Sequence, residues 1–306
     1  MVRVTNYAPF HMLYGRERFY MDRHTIIFTT DDRQRQLGEL LIGEKISCTW
    51  EDYENKYGKC KKVQRVFVLP TPVNKLDKNN EIVEKLKQEL INEKAQIQVF
   101  GGAITKPWQQ FLEEKEITYV DFMTLDDVIE GNAQITAEAV LAEALQMSLY
   151  SLAEQTVLVT GYGRCARPIA DKLARIGATV IVAARSKCAK EEATMKGYKV
   201  CDISQIAQMA PCCEMFINTV PAMIFTRDII QKMTKDARIL DIASKPGGTD
   251  FEAAERYEIK AKLALGLPGI YSTRSSAKLL EKAMLRYAPL QQQERGEQSW
   301  IFQIII

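Results

Sequence analysis

TVLVTGYGRCA, residues 156–166, is the stretch that decides the fold of the second half of this chain. It combines an apolar strand pattern with G-x-G-x-x-A and precedes an amphipathic segment, which predicts a strand, a tight turn and a helix. Gly161 allows the turn, Gly163 lets the backbone approach a pyrophosphate, and Ala166 lets the helix pack closely on the strand. The stretch predicts a dinucleotide site that includes Arg164 and Cys165; the alternative is a structural glycine turn.

The end of the second predicted strand, residues 179–184, indicates which dinucleotide binds. NAD sites place an Asp or Glu about 20 residues after the glycines to hold the ribose hydroxyls. Arg185 and Ser186 follow the strand here, and a guanidinium and a hydroxyl can both bind a 2′-phosphate. We predict NADP(H), with NAD(H) as the alternative. The other interpretation of Arg185 is a solvated loop charge, with the adenosine end of the cofactor loosely held.

Three further loops follow predicted strands and should line the same crevice, because ligands of open α/β sheets bind at the carboxyl ends of the strands. The loop residues expected to contact the cofactor are Asn218, Thr219, Pro221, Ser244 and Gly266. We expect Asn218 and Thr219 to bond the nicotinamide ribose, and Lys245 and Asp250 to lie beside its reacting end. Taken singly, each loop is equally well explained as a turn.

Strands alternate with helices along the whole chain, which predicts an α/β protein with two doubly wound parallel-sheet domains joined by long helices. The second, residues 135–274, is predicted to be a Rossmann dinucleotide-binding domain. Residues 25–134 with 275–290 are predicted to form a substrate or partner domain. Residues 1–24 are expected to be an extension, and residues 291–306 a tail whose apolar end could dock on a surface, pair with another chain or aggregate.

The composition excludes several classes of function. With 41 Lys+Arg against 39 Asp+Glu in 306 residues, the net charge of +2 provides no basic excess for nucleic acid. No apolar run approaches the roughly 18–20 residues that cross a membrane, and residues 1–20 lack the apolar core of a secretory signal. A cytoplasmic protein is expected. The seven cysteines are irregularly spaced and form no Cys-x-x-Cys, so neither a disulfide framework nor a metal site is predicted.

The histidines restrict the chemistry further. His11 and His24 are the only two, and both precede the first convincing strand. A Ser/His/Asp triad, a histidine-based zinc centre and a histidine general base inside the core are therefore not expected. A 2-hydroxy-acid dehydrogenase, which needs an imidazole opposite the nicotinamide, is accordingly a disfavoured alternative.

The run IASKPGGTDF at residues 242–251, followed by AAE at 253–255 and GLPG at 266–269, resembles the A-subunit family of bacterial dipicolinate synthases. Asn218-Thr219 with Pro221, and Ala184 to Ser186, carry the same likeness. A weaker likeness extends through DDRQ at 31–34 and through Thr136-x-Glu138, taken as the entry to a connecting helix at 132–152. The chain departs from the family at three places. The family usually has glycines where this chain has Thr29-Thr30, and a glycine where it has Ala166. It usually has a Pro-Lys-Thr-Ala run where this chain has STRSS at residues 272–276.

The resemblance implies a two-domain dinucleotide-binding oxidoreductase that works in an oligomer with a flavoprotein-like B subunit. Together they would convert a dihydrodipicolinate-level product of the lysine pathway into dipicolinate, in the mother cell of a sporulating bacterium. The two carboxylates of such a substrate need cationic partners, for which Arg33, Lys245 and Arg274 are the candidates.

Proton transfer in this reaction is assigned to Asp250, Glu138 or the Ser244 hydroxyl, with Lys245 as a further catalytic candidate. Glu138 has the alternative role of stabilising a helix N-terminus. Because no strong base is obvious, a non-catalytic NADP-binding partner or sensor protein is an alternative function.

Overall fold

The computed structural model describes residues 4–6, 23–28, 31–41, 46–48, 64–78, 80–92, 97–287 and 300–305. The chain forms two compact units. One combines Met1–Gly131 with Ser272–Ile306, and the other is Asn132–Tyr271. Within the described residues, no helix is both long and apolar enough to cross a membrane.

The first unit is built on a seven-stranded sheet. Its strands are β1 (Val4–Asn6), β2 (Arg23–Phe28), β3 (Ile46–Cys48), β4 (Gln64–Val68), β5 (Ile97–Gly101), β6 (Thr118–Asp121) and β13 (Trp300–Ile305). They lie in the order β3-β1-β13-β2-β4-β5-β6, with parallel pairing from β13 to β6 and antiparallel pairing at β1.

The apolar end of the chain is thus an interior strand of this sheet. β13 pairs in parallel with β2 and antiparallel with β1, so it is flanked on both edges by strands of its own chain. The sequence-based expectation for this tail is that it docks on a surface, pairs with another chain or aggregates. Pairing with strands of its own chain is not among these roles. Parts of the predicted N-terminal extension also belong to the sheet, as β1 and the first residues of β2.

Helices cover both faces of the first sheet. They are α1 (Asp32–Leu41), α2 (Asn80–Asn92), α3 (Lys106–Glu114), the start of α4 (Asp126–Met147) and α10 (Thr273–Tyr287). Phe67 of β4 packs with residues of α2 and α3, whereas its neighbours Val66 and Val68 pack with residues of α1 and α10. This alternation is the arrangement expected of a parallel sheet buried on two faces.

The second unit has the strand order of a Rossmann fold. Its strands are β7 (Thr156–Thr160), β8 (Thr179–Ala183), β9 (Lys199–Cys201), β10 (Met215–Asn218), β11 (Arg238–Asp241) and β12 (Lys260–Leu263). All pair in parallel in the order β12-β11-β10-β7-β8-β9. Its helices are α5 (Ala166–Arg175), α6 (Lys187–Met195), α7 (Ile206–Met209), α8 (Arg227–Ile230) and α9 (Phe251–Arg256). The predicted fold class, two parallel-sheet α/β domains with a Rossmann-type second domain, is confirmed.

The long helix α4 differs from its prediction. It begins at Asp126 instead of residue 132 and ends at Met147 instead of residue 152. Gly131 lies inside α4. A Cβ at this position would stand 2.5 Å from Leu279 of α10, so the glycine lets α10 pack closely against α4. Glu138 is therefore well inside the helix, and the alternative that it stabilises a helix N-terminus is wrong.

Candidate dinucleotide site

The turn after β7 is held in a conformation that requires glycine. Gly161 has φ 78°, and its N–H donates to the Ala183 carbonyl at 2.8 Å, which ties the turn to the end of β8. A Cβ at Gly161 would meet Thr219 Oγ1 and Val220 Cγ2, each at 3.1 Å. The turn consequently lies at the switch point of the sheet, between β8 on one side and β10 on the other.

Gly163 lies beside open space. Gly163 and its two chain neighbours aside, no heavy atom of the described residues is found within 4 Å of the position that a Cβ would take there. Hydrogen bonding of the following helix begins at this residue, since Arg167 N–H donates to the Gly163 carbonyl at 3.1 Å. The dipole of α5 adds partial positive charge at this end of the helix. An open cradle lined by amide groups fits a pyrophosphate.

Tyr162, between the two glycines, anchors the turn and was missed as a functional position. Its ring is buried and packs edge-on against Tyr198, with centroids 6.3 Å apart. The Arg167 guanidinium lies 5.6 Å from the ring centroid and pairs with Glu192 at 2.6 Å. Burial is the main cause that raises the pKa of Tyr162 to about 12. A buried, neutral aromatic anchor of this kind restricts the motion of both glycines.

The end of β8 presents Arg185 to solvent. Among the described residues Arg185 has no ion pair or hydrogen bond, whereas Ser186 caps α6 by accepting from Ala189 N at 3.4 Å. Asp202, which directly follows the adjoining strand β9, is bound by Lys190 at 2.9 Å. That hydrogen bond and those from Ser204 lower the pKa of Asp202 to about 2. The guanidinium is therefore available for an anion at the end of β8.

A row of buried polar side chains crosses the carboxyl ends of β7, β10 and β11. The Thr160 hydroxyl donates to Asn218 Oδ1 at 2.6 Å, and Asn218 Nδ2 donates to Asp241 Oδ1 at 2.9 Å. Asp241 Oδ2 in turn accepts from the Thr249 hydroxyl and from Gly248 N, both at 2.8 Å. The sequence reasoning missed Thr160, Asp241 and Thr249, although a carboxylate ending an apolar strand is an unusual feature.

This network changes the roles of two predicted ribose ligands. Asn218 is fully buried, and its amide also accepts from Val220 N at 3.1 Å and donates to the Val220 carbonyl at 3.0 Å. All four hydrogen-bonding positions of the Asn218 amide are thus used internally. The Thr219 hydroxyl donates to the Thr160 carbonyl at 2.7 Å. Both residues shape the crevice, and the Asn218 side chain has nothing left for a ribose.

The loop after β11 carries the charged candidates. The Lys245–Pro246 peptide bond is cis, and Gly247 N donates to the Ser244 carbonyl at 2.9 Å. Ser244 and Lys245 are both exposed. Asp250 is half-buried and caps α9 by accepting from Ala253 N at 2.9 Å. Lys245 and Ser244 are therefore accessible at the end of β11, while one oxygen of Asp250 is occupied.

The remaining predicted residues differ in position. Pro221 and Gly266 lie on exposed loops that follow β10 and β12, and Gly266 has φ 67°.

Glu138 pairs with Lys172 of α5 at 3.2 Å, two turns along that helix from the glycine turn. Glu138 is thus engaged by a cation of α5, and its assignment to proton transfer stays a prediction. Arg33 and Arg274 belong to the first unit, where Arg274 Nη1 donates to Gln36 Oε1 at 3.4 Å.

Comparison with known proteins agrees with this geometry. Residues 121–244 match the family model of the D-isomer specific 2-hydroxyacid dehydrogenase NAD binding domain. The chain is 32% identical over 220 residues to the A subunit of dipicolinate synthase from Bacillus subtilis strain 168, covering 72% of this chain and 73% of that protein. A dehydrogenase-type NAD-binding domain supports a nicotinamide dinucleotide as the cofactor.

Two solved structures share the fold over nearly their whole length. The A subunit of dipicolinate synthase from Bacillus halodurans has a TM-score of 0.72 at 27% identity, covering 86% of this chain and 97% of that one. The corresponding structure from Bacillus subtilis has a TM-score of 0.71 at 24% identity, covering 90% of this chain and 97% of that one.

Proposed function

The chain belongs to the A-subunit family of dipicolinate synthases, as its resemblance predicts, and we propose that it is the NADP-binding component of such a synthase. In this proposal it oxidises a dihydrodipicolinate-level substrate to dipicolinate together with a flavoprotein-like B subunit, in the mother cell of a sporulating bacterium. The observation that supports this most directly is the open space beside Gly163 at the start of α5.

The residues of the turn are proposed to hold the cofactor diphosphate. The N–H groups at the start of α5 would bind its oxygens, Gly161 would keep the backbone turned away, and Tyr162 would hold both glycines in place. Arg185 would bind the 2′-phosphate of NADP, because no carboxylate of the described residues pairs with its guanidinium. When bound, a nicotinamide dinucleotide accepts a hydride.

Loss of a hydride and a proton converts a dihydropyridine dicarboxylate into an aromatic ring. Aromaticity favours the product, so a weak proton acceptor is sufficient. The Ser244 hydroxyl is the accessible candidate for relaying the proton at the end of β11, and the neighbouring Lys245 is the candidate for binding a substrate carboxylate. Arg33 and Arg274 are the candidates for carboxylate binding in the first unit.

One observation favours a second candidate function. Asp250 caps α9 and Glu138 pairs with Lys172, so two of the predicted acids have structural roles. A protein that binds NADP(H) and regulates or completes the B subunit, without performing the oxidation, is consistent with those roles.

Reconstitution tests the two candidates. Freshly prepared dihydrodipicolinate and NADP⁺ are supplied to the purified chain, alone and with the B subunit, while the appearance of NADPH and of dipicolinate is followed by absorbance. The proposal predicts equal amounts of both products. Dipicolinate without NADPH supports the regulatory role instead.

Gly163→Asp is the informative variant, because it places a carboxylate in the phosphate cradle and should abolish NADPH formation. Met195→Asp adds the same charge at an exposed position of α6 in the same unit and serves as the matched control.

A further inference from the structure

We propose that Arg33, Lys75 and Thr71 form a carboxylate-binding site in the first unit, and that Asp31 occupies the place of the ligand carboxylate. The inference rests on the proposed function and deepens it by assigning a site for one carboxylate of a small pyridine dicarboxylate. The position of these residues in the sheet, their unpaired buried atoms and their charges support it.

The residues meet at the carboxyl edge of the first sheet, where ligands of parallel sheets bind. Arg33 lies in the first turn of α1, just after β2, and Thr71 lies three residues after β4. The end of β5 completes the edge, because a Cβ on Gly102 would stand 2.3 Å from Thr71 Oγ1. The Gln34 amide fixes α1 to this edge by donating to the Leu69 carbonyl at 3.2 Å.

Two polar atoms at this edge are buried without a hydrogen-bond partner in the part of the chain that the structure describes. They are Arg33 Nε, in a residue that is 5% exposed, and Thr71 Oγ1, in a residue that is 8% exposed. The hydrogen bonds of the Arg33 side chain run from Nη2, to the Thr71 carbonyl at 3.2 Å and to Asp31 Oδ2 at 3.4 Å. Unpaired buried donors are costly, and a ligand oxygen would satisfy them.

The charges around Arg33 do not balance. Arg33 and Lys75 share a single oxygen, Asp31 Oδ2, at 3.4 Å and 3.2 Å. The other buried carboxylate on this edge, Asp121, accepts from the backbone N–H groups of Ala103, Ile104 and Met123. Within the described residues, two cations thus face one available anion in a poorly solvated place, and burial lowers the pKa of Arg33 despite its contact with Asp31. One further carboxylate would neutralise the cluster.

The exposure of the side chains indicates how a ligand would enter. Asp31 is 15% exposed and Lys75 is 35% exposed, whereas Arg33 is 6% exposed behind them. Asp31 also caps α1, because its Oδ1 accepts from Gln34 N at 3.1 Å. A ligand carboxylate that displaces Asp31 Oδ2 would find both cations, with the Thr71 hydroxyl and Arg33 Nε behind them. Asp31 can yield that oxygen and still cap the helix.

Calorimetric titration of the full chain with dipicolinate tests the site. Thr71→Val keeps the side-chain shape and removes an unpaired hydroxyl, so it should weaken dipicolinate binding by about tenfold or more without lowering the unfolding temperature. Lys75→Met should weaken binding similarly, and Lys85→Met, on the exposed face of α2, is its control. Asp31→Asn keeps the cap but removes the competing charge, and it should tighten binding. A purely structural ion cluster predicts no gain in affinity for Asp31→Asn.

Separate readouts distinguish this inference from the proposed function. NADPH affinity should be unchanged in all four variants. If the wild-type chain binds dipicolinate and Thr71→Val, Lys75→Met and Asp31→Asn bind it equally well, the carboxylate site is overturned while the proposed function stands. A wild-type chain that binds NADPH but no dipicolinate also overturns the site. Phosphate or picolinate binding as tight as dipicolinate would show an unselective anion site and contradict the assignment to a dicarboxylate.

Discussion

Asn218 Nδ2 donates to Asp241 Oδ1 at 2.9 Å in the interior of the second unit, across the carboxyl ends of two adjacent strands. Asp241 then binds Gly248 N and the Thr249 hydroxyl, so the pair connects the switch point of the sheet to the glycine loop. Charge-assisted bonds of this kind in a buried network are stronger than neutral ones. The shape of the candidate crevice therefore depends on buried side chains whose hydrogen bonds are made within the protein.

Asp241→Asn should disturb this network, because an amide cannot accept all the bonds that the two carboxylate oxygens accept now. We expect the free energy of unfolding of the second unit to fall by about 2–3 kcal/mol and the affinity for NADPH to fall with it. Thermal unfolding and fluorescence titration measure the two effects. Asp236→Asn, which alters an exposed bond to Tyr150, is the control, and equal stability of the two variants would contradict the network.

Two glycine substitutions should have opposite effects. Gly248→Ala places a Cβ 2.3 Å from Asn218 Nδ2 and 2.5 Å from the Ala222 carbonyl, and should destabilise the unit by about 2 kcal/mol or more. Gly163→Ala points into open space, so it should leave the unfolding temperature unchanged and weaken NADPH binding. A Gly163→Ala protein with wild-type affinity would show that the diphosphate lies elsewhere.

Arg185→Ala should change cofactor selectivity. Loss of a guanidinium from a 2′-phosphate should reduce NADPH affinity by about 10–100-fold, with little effect on NADH. Lys187→Ala, which removes a neighbouring cation that is 89% exposed, is the matched control. Equal losses for the two dinucleotides would contradict the assignment of Arg185.

The low pKa of Asp202 has a consequence for stability at acid pH. Its hydrogen bond from Lys190 is the largest cause of a folded-state pKa of about 2, below the ordinary value of 3.8. A depressed acid pKa contributes stability above the unfolded-state pKa, and that contribution is lost as the pH falls from about 4 to about 2. In Lys190→Met the carboxylate should titrate closer to 4 by NMR. An unchanged titration would exclude Lys190 as the main cause.

The local parts of the fold were predictable from the sequence, and the long-range parts were not. The glycine pattern at 161–166 predicts a strand, turn and helix because each residue type is required by local geometry. Gly131, by contrast, suggests a helix boundary when the sequence is considered alone. It lies inside α4 because a Cβ there would come too close to Leu279, which is far along the chain. β13 was not predicted for the same reason: its partners, β1 and β2, lie almost the whole chain away.

The candidate dinucleotide site was likewise only partly predictable from the sequence. The residues that line the turn follow from a motif, whereas the roles of Asn218 and Asp250 depend on which partners the fold brings to them. A sequence shows that a polar residue ends a strand, and only the packing shows whether its hydrogen bonds are used internally.

Protection of Cys165 from alkylation tests most directly whether a dinucleotide binds at this turn. Cys165 is exposed at the start of α5, and Cys212 is exposed just before β10, at the opposite edge of the sheet. Mass spectrometry follows modification of both thiols with and without saturating NADPH. We expect slower modification of Cys165 and an unchanged rate at Cys212; unchanged rates at both would contradict binding of a dinucleotide at this turn.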